Sequence, residues 1–259
     1  MGVGIERASR EEAARGLADE IGALARACAA EGRRGVLGLA AGRSPRGLYA
    51  ELVRRHREDG LSLASLAVTS LDEYLGLSPG VDGTFERSLR NELIDHVDIP
   101  ADAVHLVRVE RGEAPSVAAR RHEAVLQALG GVDIQLLGLG ANGHIAFNEP
   151  GARLDSRTRV VALTEATRAA NAPEMPPGVA VPREALTMGI GTIREARALR
   201  MLVFGQAKSE ALRRLVHGPA EAAWPCTWLR EHPDLRVYTD LERRADDAGP
   251  RPAARVGRA

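Results

Sequence analysis

Lysine is nearly absent from this chain: of 35 basic residues only Lys208 is a lysine, and the rest are arginine. A position that keeps a compact ammonium where arginine serves everywhere else is a candidate for a role that a planar guanidinium fills poorly. Aromatic residues are scarce as well, with three Phe, three Tyr and two Trp, and no basic block interleaves with them. Together with a formal net charge of zero, this argues against a nucleic-acid partner. No apolar run reaches the roughly eighteen residues that cross a bilayer, and no charged-then-apolar leader opens the chain. The expectation is a soluble cytoplasmic protein with no membrane partner. The two cysteines, Cys28 and Cys226, share no motif, which suits a reducing compartment better than a disulfide framework. Zinc-ligand spacing and a G-x-S-x-G elbow are also missing, so metal-assisted hydrolysis and serine acyl transfer lack support.

What is present is a regular alternation of elements. Ser9 and Glu12 form a capping box, and Ala13, Leu17, Ile21, Leu24 and Ala25 an apolar stripe, predicting a helix over 9–31. VLGL at 36–39 reads as a buried strand, followed by a small-residue turn, AAGRSP, at 40–45. Ser44 suits an N-cap and Pro45 the first helical position of a helix running to about Arg57. A strand over 66–71, a helix from a Thr84 cap to about His96, a short strand at 104–107 and a helix over 116–129 come next. Strands at 132–137, 158–163, 185–188, 198–204 and 235–238 follow, with helices at 208–217 and 224–230 and a proline-rich loop at 172–182. Such alternation predicts an α/β protein: a doubly wound, mostly parallel sheet with helices on both faces, a Rossmann-like three-layer sandwich. Residues 1–242 read as a single domain. From Arg243 the tail has nothing to bury and is expected to be disordered.

The chemistry gathers at strand ends. The stretch 138–151, GLGANGHIAFNEPG, follows the strand at 132–137 and packs Asn142, His144, Asn148 and Glu149 into eight residues. Such groups are costly beside a core unless each is partnered. Gly138, Gly140 and Gly143 satisfy G-x-G-x-x-G, but Pro150 and Gly151 interrupt the chain where a dinucleotide-binding helix must run, so a nicotinamide cofactor is not expected. Gly42 to Ser44 make a glycine turn at a helix N-terminus, a ready anion site. Asp72 and Glu73 end another strand; adjacent carboxylates repel, and a buried member would have a raised pKa and act as a base. Lys208 follows the strand at 198–204. In an open α/β sheet these ends share one edge. The residues therefore read as an enzyme moving protons on a phosphorylated small molecule, with Gly42, Ser44 and Lys208 toward the phosphate and Asp72 and the His144–Glu149 pair for proton transfer.

LDEYLGL at 71–77 and the stretch 138–151 resemble the two signature stretches of glucosamine-6-phosphate deaminases. The likeness continues through SRTR at 156–159, ALTMG at 185–189 and His232-Pro233, to about Asp240. The sister 6-phosphogluconolactonases share the fold and a Gly-His pair but lack the Phe-Asn-Glu-Pro continuation and the Asp-Glu-Tyr run. The resemblance implies that His144, oriented by Glu149 and Asn142, helps open the pyranose ring. Asp72 would then carry a proton from C2 to C1 through an enolamine, and ammonia would leave from what becomes fructose 6-phosphate. Neither a metal nor an organic cofactor is implied, and the expected partner is a small sugar phosphate; monomer or homo-oligomer stays open.

The chain also departs from that family. Asn142 stands where many members have Asp, as in the smaller, often non-allosteric ones. The phosphate turn reads AGRSP at 41–45 rather than Thr-Gly-Ser-Thr-Pro, Thr84-Phe85 replaces a Ser-Tyr pair, and Pro173 occupies the place of a phosphate-holding loop arginine, for which Arg43 is expected to substitute. Where allosteric members hold an N-acetylated sugar phosphate with serine, arginine and lysine, this chain offers Ala152, Arg153, Arg159 and Val161. The alternatives are a paralogue acting on another amino-sugar or sugar phosphate, a lactonase, or a non-catalytic sugar-phosphate sensor. The intact Asp72, His144 and Glu149 weigh against the sensor.

Overall fold

Strands apolar along their whole length can be buried only between two layers. The computed structural model, which describes residues 3–78 and 80–242, meets that demand; the tail from Arg243 lies outside the described residues. The chain opens with β1 (Gly4–Arg7), α1 (Arg10–Glu31), β2 (Gly35–Leu39), α2 (Arg46–Glu58) and β3 (Leu66–Ser70). It continues with β4 (Asp72–Tyr74), α3 (Phe85–Glu92), β5 (Val104–His105), α4 (Pro115–Ala128) and β6 (Ile134–Gly138). The last part holds β7 (Arg159–Ala162), α5 (Glu165–Asn171), β8 (Glu184–Thr187), α6 (Ile190–Arg194), β9 (Ala198–Val203), α7 (Ser209–His217) and β10 (Leu235–Thr239).

Seven strands form one parallel sheet in the order β1-β10-β9-β6-β2-β3-β5. Helices flank it in three layers, as the alternation predicts. β2, β3 and β9 are buried at every residue, whereas β1, absent from the sequence expectation, is a largely exposed edge. From β2 the chain builds outward through β3 to β5, then returns to the other side of β2 with β6 and builds outward again through β9 and β10. β2 and β6 are paired neighbours, Leu37 with Ile134 and Gly38 with Gln135. Their outgoing connections diverge, and a crevice opens at their carboxyl ends, where doubly wound sheets bind ligands.

Two expected strands stand apart from this sheet. β7 and β8 join β4 in a separate antiparallel sheet, order β4-β8-β7. It has its own small core of Tyr74, Phe147, Leu163, Val181 and Ala185. Asp72, paired with Thr187, is where the chain passes from one sheet to the other. Two helices are also shorter than expected: α3 breaks at Leu93 into a 3-10 turn at Ile94–His96, and residues 224–230 hold a 3-10 helix, Pro225–Leu229.

The opposite, amino-terminal edge of the sheet is held by a buried cation. Arg200 in β9 is 2% exposed. Its guanidinium reaches Glu20 of α1 at 2.6 Å and both carboxylate oxygens of Asp234, ahead of β10, at 2.9 Å. The α1 capping box forms as its sequence predicts, Glu12 Oε2 accepting from the Ser9 N–H at 2.8 Å and Ser9 Oγ from the Glu12 N–H at 3.2 Å.

Candidate active site

At the β2/β6 crevice lies a cavity of about 500 Å³, lined by Gly42, Arg43, Ser44, Asp72, His144 and Lys208 among others. They come from four places: the turn after β2, the start of β4, the turn after β6 and the turn after β9. The turn after β2 is stapled by Tyr49, whose buried hydroxyl donates to the Ala40 carbonyl at 2.7 Å and accepts from the Ala40 N–H at 3.1 Å. Gly42 sits at φ 96°, backbone that a side chain would strain. One expectation fails here. Ser44 does not cap α2: residues 43–45 form one more turn, the helix starts at Arg46 with Pro45 in the capping position, and no side chain caps it. Ser44 instead lines the cavity.

Strand alternation separates the two adjacent carboxylates. Asp72 lines the cavity and Glu73 points away from it. Glu73 accepts hydrogen bonds from the backbone N–H groups of Tyr74 at 2.8 Å, Phe85 at 3.0 Å and Glu86 at 2.8 Å, pinning β4 to the start of α3. Burial still pushes its carboxyl up to about 7 against those bonds. Asp72 has no such donors among the described residues, and burial, aided by the neighbouring Glu73, pushes it up to about 8. Of the two, the unpartnered carboxyl faces the cavity.

The turn after β6 builds a hydrogen-bonded chain behind His144. Asn142 Nδ2 donates to Glu149 Oε2 at 2.8 Å, which fixes the orientation of the amide. Its Oδ1 can then only accept, and it lies 3.2 Å from the His144 N–H and 2.7 Å from Nδ1. Nδ1 must carry the hydrogen, leaving Nε2 as the unprotonated nitrogen. Burial holds His144 below the ordinary histidine range, opposed by Glu149 and reinforced by Lys208. Gly140 gives the ring its seat, since a Cβ there would stand 2.3 Å from Nδ1. Ala146, which also lines the cavity, is held at φ 52°, a conformation few non-glycine residues adopt. Nearby, the buried Asn148 donates to the carbonyls of Ile145 at 2.9 Å and Met188 at 2.8 Å. No helix follows Gly143, in keeping with the rejected dinucleotide reading.

Lys208 ends a 3-10 turn, Gln206–Lys208, ahead of α7. It is half-buried, and its ammonium is held below the usual lysine range by burial and then by Arg43. The structure thus gathers all eight predicted site residues, with Asn142 and Glu149 behind the histidine rather than on the cavity wall. Among the described residues no three His, Cys, Asp or Glu side chains cluster to hold a metal ion.

Sequence reasoning missed α5 and what it carries. Thr164 caps that helix by accepting from the Thr167 N–H, a signal legible in the Thr-x-x-Thr spacing. Thr167 then donates its hydroxyl to Glu149 Oε1, extending the chain behind His144. Ala170, Asn171 and, just beyond the helix, Glu174 line the cavity, as do Arg10, Phe85 and Phe204 from elsewhere.

The chain matches, over residues 8–237, the model of a family described as glucosamine-6-phosphate isomerases/6-phosphogluconolactonase. It is 42% identical to a glucosamine-6-phosphate deaminase of Bacillus velezensis across 82% of this chain and 88% of that one. It is 45% identical to one of Rhodococcus jostii across 80% and 81%. The solved structure of a monomeric glucosamine-6-phosphate deaminase has a TM-score of 0.86 at 35% identity, covering 92% of this chain and 97% of that one. A 6-phosphogluconolactonase of Thermotoga maritima, at 17% identity and a TM-score of 0.68 over 92% and 98%, shares the fold alone. The chain belongs to the glucosamine-6-phosphate isomerase/6-phosphogluconolactonase family, and within it to the glucosamine-6-phosphate deaminases.

Proposed function

We propose that the protein is a glucosamine-6-phosphate deaminase, with residues 1–242 as one catalytic domain in the cytoplasm, where phosphorylated sugars are held. The substrate's phosphate rests among Ser44, Arg43, Lys208 and the Gly42 turn. His144, with Nδ1–H committed to Asn142, offers Nε2 to move a proton from the anomeric hydroxyl to the ring oxygen, which opens the ring. Asp72, ionised, removes the proton at C2 and returns it to C1. The enolamine formed between these two transfers becomes a C2 imine, and water adds to it as ammonia leaves and fructose 6-phosphate forms.

The observation that carries this reading is the buried Asp72 carboxyl, without a donor among the described residues, in one cavity with a histidine of fixed tautomer and an ammonium that forms no ion pair among them. A base whose pKa lies near the working pH is both available and strong enough to take a weakly acidic C–H proton. The test is direct. Purified protein with no metal added is expected to release ammonia and fructose 6-phosphate from glucosamine 6-phosphate. Hydrolysis of phosphogluconolactone with no ammonia from the amino sugar would overturn the reading.

A further inference from the structure

The cavity carries a cation drawn from far away in the chain. Arg10 is the first residue of α1, and its guanidinium carbon stands 4.6 Å from the ring centroid of Phe204, just past β9. It lines the active-site cavity together with Arg43, Ser44 and Lys208. With Arg43, Ser44 and Phe204 it also borders a second hollow, of about 410 Å³, so it stands where the two meet. For helix stability the position is a poor one, because a cation in the first turn faces the positive end of the helix dipole. Stacking on an aromatic face offsets part of that cost and holds the guanidinium in place before any ligand arrives.

The three cations of this cavity differ in what occupies them. Arg43 leans toward Glu174 at 3.8 Å, and Glu174 is already held by Arg46 at 2.5 Å. Lys208 and Arg10 form no ion pair among the described residues. Positive charge is left uncompensated at the end where Ser44 and the Gly42 turn lie, and Arg10 carries part of it on a preorganised fork suited to two phosphate oxygens at once.

We propose that Arg10, stacked on Phe204, is a specificity-determining residue that recognises the phosphate dianion of the substrate and completes the phosphate end of the cavity. This rests on the sugar-phosphate reading above and adds to it a residue that neither the sequence motifs nor the turn after β2 supply.

The test compares Arg10→Gln, which removes the charge and the stacked guanidinium, Arg10→Lys, which keeps the charge without the fork, and Arg10→Glu, which reverses it. Arg10 is exposed, so the fold is expected to survive all three, and circular dichroism checks this. One readout is KM and kcat for glucosamine 6-phosphate; the other is the Kd of inorganic phosphate by calorimetry, which needs no turnover. Arg10→Gln is expected to raise both KM and Kd about three- to tenfold with kcat held, Arg10→Glu to raise them further, and Arg10→Lys to recover most of the loss. Added salt should shrink the difference. A folded Arg10→Gln with wild-type KM and wild-type phosphate Kd overturns the proposal. If phosphate binding depends on Arg10 while the wild-type protein releases no ammonia, the proposal stands and the deaminase reading falls.

Discussion

Arg200 and Asp72 are both buried ionisable residues, one toward the amino-terminal edge of the seven-stranded sheet and one just past the carboxyl end of β3, and they are treated in opposite ways. Arg200, at the amino-terminal edge, is saturated: Glu20 and Asp234 take its donors and join α1 to β9 and the approach to β10. Asp72, at the carboxyl edge, receives no donor among the described residues and sits beside a second carboxylate. A paired buried charge ties elements together; an unpaired one is held in a state of raised energy that a substrate can relieve. Asp72 and Lys208, which form no ion pair among the described residues, lie where the strands end, and Arg200, with its guanidinium paired, lies where they begin.

That contrast predicts opposite responses to removal. Asp72→Asn should lower turnover by about 10²–10⁴-fold, the usual contribution of a general base. It should also stabilise the protein in alkali. In the folded state the Asp72 carboxyl keeps its proton to about 8, against an ordinary value of 3.8. Stability from this group is therefore full at low pH and is lost as pH rises through that window. Asn cannot ionise, so the variant's Tm should exceed the wild type's above about pH 8, by thermal denaturation across pH. An equal or lower Tm there would break the comparison.

Arg200→Ala should do the reverse, costing about 2–4 kcal/mol of stability through lost packing and two stranded carboxylates while leaving kcat of the folded enzyme intact. Arg200 holds Asp234 below the ordinary carboxylate range, so this contribution fades as pH falls through that range, the opposite sense to Asp72. Urea titration at neutral and acid pH measures it. Loss of activity without loss of stability would mean that the two edges are not separate.

Lys208 contrasts with Arg200: it is a half-buried cation with no ion-pair partner among the described residues. Lys208→Ala should raise KM for glucosamine 6-phosphate about ten- to a hundredfold, the range of a hydrogen bond to a charged group. Lys208→Arg should raise it less, because the larger planar head fits a site built for an ammonium poorly. Wild-type kinetics in Lys208→Arg would make the surviving lysine an accident of composition. The smallest effect should come from Thr167→Val. Glu149 would lose one donor and kcat should fall about three- to tenfold with KM nearly constant; a change in KM alone would mean that α5 binds substrate rather than positioning His144.

Much of this was legible in the sequence, for physical reasons. The buried strands β2, β6 and β9 announce themselves as short apolar runs, and the Ser9–Glu12 box marks the start of α1 by local chemistry alone. The residues of 138–151 could be assigned because they bond to one another: Asn142, His144 and Glu149 interact within eight positions of chain. What was not legible depends on distance. The pairing of β4, β7 and β8 into their own antiparallel sheet is set by tertiary packing around Tyr74 and Phe147, not by any pattern within a single strand. β1 is an exposed edge with no apolar signature. The sequence singles out Asp72, but that the start of α3 pins Glu73 depends on tertiary packing, as does the presence of Arg10 on a helix that packs from the other end of the chain. Ser44 looked like a cap because its residue type suits one, but an extra turn before Arg46 leaves its hydroxyl elsewhere.

The claim that Asp72 is the unsatisfied base is tested most directly by following solvent deuterium into the C2 position of glucosamine 6-phosphate by NMR, with the phosphate Kd measured in parallel. Wild-type protein should exchange that hydrogen, and Asp72→Asn should exchange it at least about a hundredfold more slowly with the Kd unchanged. Loss of less than about tenfold would mean that another group takes the proton, and that the unpaired charge at the carboxyl edge serves some other end.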